Sequence, residues 1–136
     1  MLTRLGLICA FLVASVTDAA AGVAIHASCT TELARDPVHV RTLRDEVTRA
    51  LASTRVTTRY TLDVSLVRLA STTLGRDVEV QVEVRALLSD EQGRARWNTT
   101  SRATARGHAR DRAMIQRDAM SAAARDIAKL VRTARP

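Results

Sequence analysis

At 136 residues the chain has room for one hydrophobic core and too few residues for two ordinary domains. Phe11, Tyr60 and Trp97 are the only aromatic residues, which leaves no stacking platform for nucleobases and no aromatic cage for sugars or quaternary amines. Its 21 basic residues, all arginine except Lys129, outnumber 14 acidic ones, an excess that suits an anionic partner but also follows from a GC-rich genome.

The N-terminus reads as an export signal over residues 1–21. Arg4 supplies a positive start, residues 5–16 form an apolar run, and Ala19, Ala20 and Ala21 offer the small residues of a cleavage site. Twelve residues of helix reach about 18 Å, short of the roughly 30 Å hydrocarbon core. Cleavage near Ala21 is therefore expected, with a mature chain from about Gly22. Cys9 lies in that signal, so Cys29 is then alone and no internal disulfide can form. Small residues precede Cys29, as they precede a lipid-modified bacterial cysteine, but the usual aliphatic residue three positions earlier is replaced by His26. Lipidation at Cys29 is thus a minor expectation, and a buried or idle thiol the main one.

Residues 22–35 form a leader or a short first strand, since Val23, Ile25 and Ala27 alternate with Ala24, His26 and Ser28. Asp36 followed by Pro37 is the signature of a helix start: the carboxylate caps a free amide, and proline gives up only an amide with no partner. Val40, Leu43, Val47, Ala50 and Leu51 then make one apolar stripe, ending near Ser53. A strand follows over residues 56–69, with a slip of apolar phase near Leu66 and Val67 that predicts a bulge. Residues 70–77 are expected as a loop pivoting on Gly75.

The pattern is clearest in residues 78–88, where Val78, Val80, Val82, Val84, Ala86 and Leu88 alternate with mostly polar neighbours. That period of two is a strand with one buried face. Residues 89–93 should close a hairpin at Gly93, returning through a strand over residues 94–105. Ser89 is expected to face Arg94, which sets Leu88 against Ala95, Ala86 against Trp97 and Gln81 against Arg102. From Arg110 onward Met114, Ile115, Ala119, Ala123, Ile127, Leu130 and Val131 recur at helical spacing. The fold class expected is α+β: a two-layer sandwich, its antiparallel sheet of three or four strands covered on one face by two helices, as a single domain over residues 36–136.

No residue pattern names a reaction. His26, His39 and His108 are scattered, the five glycines build no phosphate loop, and no nucleophile elbow occurs. Glu79 and Glu83 lie about 13 Å apart along a strand, beyond the reach of a glycosidase carboxylate pair. Neither enzyme activity nor a cofactor or metal is expected. The feature that stands out is a run of arginines, of which Arg94, Arg96, Arg102 and Arg106 share even numbering. On a continuous strand they would line one solvent face as a candidate anion-binding patch, unless Glu79, Glu83 and Asp90 neutralise them.

The segments 60–64, 78–82 and 90–97, with the alanine-rich stretch 119–131, resemble small bacterial envelope accessory domains of curli-secretion-like and penicillin-binding-protein-activator-like lipoproteins. That resemblance implies binding or assembly at the envelope without catalysis. The expected partner is an envelope protein or an anionic envelope polymer or lipid in the periplasm or cell envelope; nucleic acid is disfavoured, and membrane association would require lipidated Cys29 or an uncleaved signal. A cytoplasmic polyanion or RNA binder and a small secreted enzyme or inhibitor are the alternatives.

Overall fold

The computed structural model describes residues 17–20, 23–30, 36–52 and 59–133. Strands β1 (Thr17–Ala20) and β2 (Val23–Cys29) precede helix α1 (Pro37–Leu51). Strands β3 (Tyr60–Leu74), β4 (Asp77–Ser89) and β5 (Ala95–His108) then lead into helix α2 (Arg112–Thr133) through one turn of 3-10 helix. The strands form one sheet in chain order. Of the expected export segment, only β1 is described.

The α+β class and the placement of both helices on one side of the sheet are as the hydrophobic pattern requires. Val23, Ile25, Leu62, Val64, Leu66 and the valines of β4 are buried, together with Leu43, Val47 and Leu51 of α1 and Ile115, Ala119, Ala123 and Ile127 of α2. Small alanines on α2 let the helix sit close to the valine surface. Gly107 carries this furthest: a Cβ there would lie 2.9 Å from Ile115 Cδ1.

The sheet departs from expectation in direction. Residues 23–29 do form a strand, but β2 runs parallel to β3, so the sheet is mixed rather than wholly antiparallel. The physical reason is α1, which fills the connection between the two strands and carries the chain back to the sheet's starting end, as parallel neighbours require. The expected loop over residues 70–77 also shrinks. β3 pairs with β4 as far as Leu74 opposite Asp77, and Gly75, at φ 63°, takes the left-handed conformation of a tight turn. The predicted bulge lies where the phase slips, between Leu66 and Arg68.

The β4–β5 hairpin differs in register by two residues. Leu88 pairs with Trp97, Ala86 with Thr99 and Glu83 with Arg102. Asp90 fixes this arrangement. Its buried carboxylate accepts from the N–H groups of Gln92 and Arg94 at 3.0 and 2.9 Å and meets Arg96 Nε at 3.2 Å. The loop thereby consumes Arg94, and the register shifts between Ser89 and Leu88, with Arg96 as the extra residue on β5. From Trp97 onward the even-numbered slip leaves the β5 side chains on their expected faces.

α1 begins as its sequence dictates, with Asp36 accepting from Val38 N–H at 3.0 Å. Glu46, only 4 % exposed, ties the helices together by meeting Arg49 at 2.9 Å and Arg117 of α2 at 3.2 Å.

Candidate functional site

With both helices on one side, the other face of the sheet is left open among the described residues, and strand alternation decides what it displays. β3 contributes Asp63, Ser65 and Arg68; β4 contributes Glu79, Gln81, Glu83 and Arg85; β5 contributes Asn98, Thr100, Arg102, Thr104 and Arg106. Two shallow clefts mark it. One, about 410 Å³, is lined by Arg68, Gln81, Glu83, Arg102 and Thr104. The other, about 530 Å³, is lined by Asp63, Ser65, Arg85, Leu87, Asn98 and Thr100.

The four arginines singled out in the sequence do not form one row. Arg94 lies in the hairpin loop, outside the strand, and Arg96 is turned back onto Asp90 by the extra residue. Arg102 and Arg106 do occupy the open face, where Arg102 Nε lies 3.3 Å from Glu83 and Arg106 lies 3.5 Å from Asp77. Arg68 and Arg85 take the places that Arg94 and Arg96 leave. Sequence reading missed both because they belong to β3 and β4, and only strand register brings them beside Arg102. Arg68 pairs across β3–β4 with Glu83, which pairs across β4–β5 with Arg102. Arg85 stands on the same face two residues from Glu83, about 7 Å along the strand.

Guanidinium groups in this setting can donate bidentate hydrogen bonds to phosphate or carboxylate oxygens, and the neighbouring hydroxyl and amide side chains can add single bonds. A further cleft of about 600 Å³ runs between the helices, lined by Asp36, His39, Asp45, Glu46, Arg117 and Met120 among others. Among the described residues no three His, Cys, Asp or Glu side chains gather into a metal site. His39 lies 3.6 Å from Asp36, and His108 accepts from Arg110 N–H at 3.3 Å, so both have roles at helix starts.

Cys29 ends β2, half-buried and paired in register with Leu66. Burial pushes its thiol pKa up to about 11, with the negative charge of Asp36 adding to the effect. It is a protonated, unreactive group at neutral pH.

A minor lipoprotein from Acinetobacter baumannii shares this fold. The two chains superpose with a TM-score of 0.55 at 14 % identity, over 83 % of this chain and 94 % of that one. A lipoprotein from Caulobacter crescentus scores 0.48 at 19 % identity, over 68 % of this chain and 76 % of that one. A DUF330 protein from Xanthomonas campestris scores 0.49 at 21 % identity, over 68 % and 58 % respectively. No family model matches the sequence. No curated protein matches it either. At this identity the first of these similarities establishes the fold alone.

Proposed function

We propose that the protein is exported to the bacterial envelope and works there as an accessory protein that binds, without catalysis, through the open face of its sheet. The observation that carries this reading is the open face itself: a polar, arginine-bearing surface of three strands that bears two clefts and, among the described residues, has no helix over it. The N-terminal pattern supports export, and the shared fold with a bacterial lipoprotein agrees with it. The finer likeness to curli-secretion-like or penicillin-binding-protein-activator-like lipoproteins belongs to this proposal as well.

The architecture also bears on where processing occurs. Bacterial lipoprotein maturation makes the acylated cysteine the first residue. At Cys29 that would discard β2, whose Val23, Ile25 and Ala27 are at most 2 % exposed. Cleavage near Ala21 keeps all three. Among the described residues no helix is long and apolar enough to cross a membrane.

The test is expression of the full chain in a bacterium, followed by fractionation and mass spectrometry of its N-terminus. A chain beginning near Gly22 in the periplasmic or envelope fraction is the expected result. An intact Met1 in the cytoplasm would overturn the reading and favour the polyanion or RNA binder.

A further inference from the structure

Elsewhere along β5 each guanidinium on the strand has a carboxylate: Arg96 meets Asp90, and Arg106 meets Asp77. The middle of the open face breaks that rule. Arg68 and Arg102 flank one carboxylate, that of Glu83, from the two neighbouring strands, and Arg85 follows two residues along β4 in the adjoining cleft. Only Arg102 pairs with Glu83, through Nε at 3.3 Å, and Arg102 remains 78 % exposed. Arg68 and Arg85 pair with no described carboxylate. Asp63 lines the cleft beside Arg85 and forms no ion pair among the described residues.

Arg68 and Arg102 both stand opposite Glu83, and one carboxylate cannot offset both. Glu83 is 20 % exposed against 78 % for Arg102, and Arg68 is exposed as well, so the carboxylate lies low while both guanidinium groups reach solvent. Gln81 and Thr104 add amide and hydroxyl donors to the same cleft. A tetrahedral oxyanion with several oxygens satisfies two guanidinium forks better than a single carboxylate does.

Building on the envelope-binding reading, we propose that Arg68 and Arg102, which line one cleft on either side of Glu83, form a discrete site for one phosphate group, with Glu83 occupying Arg102 until it is displaced. The group is a phosphomonoester or phosphodiester, either free or carried by a lipid headgroup. Glu83 competes with it for Arg102.

The experiment uses the chain beginning at Gly22 and, in parallel, the full chain. Co-sedimentation with phosphatidylglycerol vesicles is measured against phosphatidylcholine vesicles, with and without millimolar glycerol phosphate as competitor. The double variant Arg68→Gln/Arg102→Gln should lose tenfold or more in vesicle affinity, whereas Arg125→Gln/Lys129→Gln on α2, with the same change of charge, should lose less than threefold. Glu83→Gln should strengthen binding at least threefold, and Glu79→Gln, an equal change nearby, should do so less. Competition by glycerol phosphate assigns the site to an isolated phosphate group, and binding without competition assigns it to lipid headgroups.

Equal losses in the two double variants would overturn the site, since net charge alone would then explain the binding. Weaker binding by Glu83→Gln would also overturn it. Wild-type protein that ignores both vesicles and glycerol phosphate, yet is recovered from the envelope with a processed N-terminus, removes the phosphate site and leaves the envelope reading standing. Circular dichroism on each variant separates lost binding from lost folding.

Discussion

At the scale of single residues, burial decides the chemistry of Cys29. Its thiol pKa of about 11 against an ordinary 9.0 lowers the thiolate fraction at pH 8 by about a hundredfold. Alkylation by iodoacetamide at pH 8 should therefore be about that much slower in the native protein than in urea, and equal rates would show an ionised, open thiol. The sign of the linked stability follows from the same shift. Below pH 9 both states keep the proton; above it the unfolded thiol ionises first, so stability falls as pH rises towards 11. The sequence showed the lone cysteine, but its protonation depends on β2 being a core strand, which a short alternation of six small residues leaves open.

Among the elements, the β4–β5 hairpin shows how one side chain sets a register. Asp90 accepts two backbone N–H groups and an arginine while 6 % exposed. Removing that carboxylate leaves the loop amides without their acceptor. Asp90→Ala should cost about 2 kcal/mol in urea melts, and Asp90→Asn should recover part of it, since an amide oxygen can still cap the turn. A loss below about 0.5 kcal/mol would mean that cross-strand pairing alone fixes the hairpin. The alternation of β4 was plain in the sequence because its valine face is continuous. The register was not, since a slip of two residues returns the same apolar pattern, and the choice rests on hydrogen bonds that the pattern does not encode.

For the molecule as a whole, the described core begins at Val23, immediately beyond the expected cleavage point. A chain starting at Gly22 loses β1 and keeps every buried residue named here. It should melt within about 5 °C of the full chain, the shift that roughly 1 kcal/mol produces. A chain starting at Thr30 also loses Val23, Ile25 and Ala27, at least about 4 kcal/mol of apolar burial. That is comparable with the net stability of a small domain, about 5 to 15 kcal/mol, and it removes the parallel partner of β3. Circular dichroism should show this shorter chain largely unfolded. Cooperative melting near the full-length temperature would show that β2 is dispensable, and the structural objection to maturation at Cys29 would fall.

The sequence by itself determined the class and the faces: the helix start at Asp36, the valine face of β4, the bulge after Leu66 and the alanine surface of α2. Each is a local pattern whose period or capping chemistry has one economical reading. Tertiary structure decided that β2 enters parallel to β3, that Arg94 and Arg96 leave the open face, and that Arg68 and Arg102 flank Glu83. Those relations link residues from different strands, and their geometry exists only once strand direction and register are fixed by the packing of α1 and the turn at Asp90.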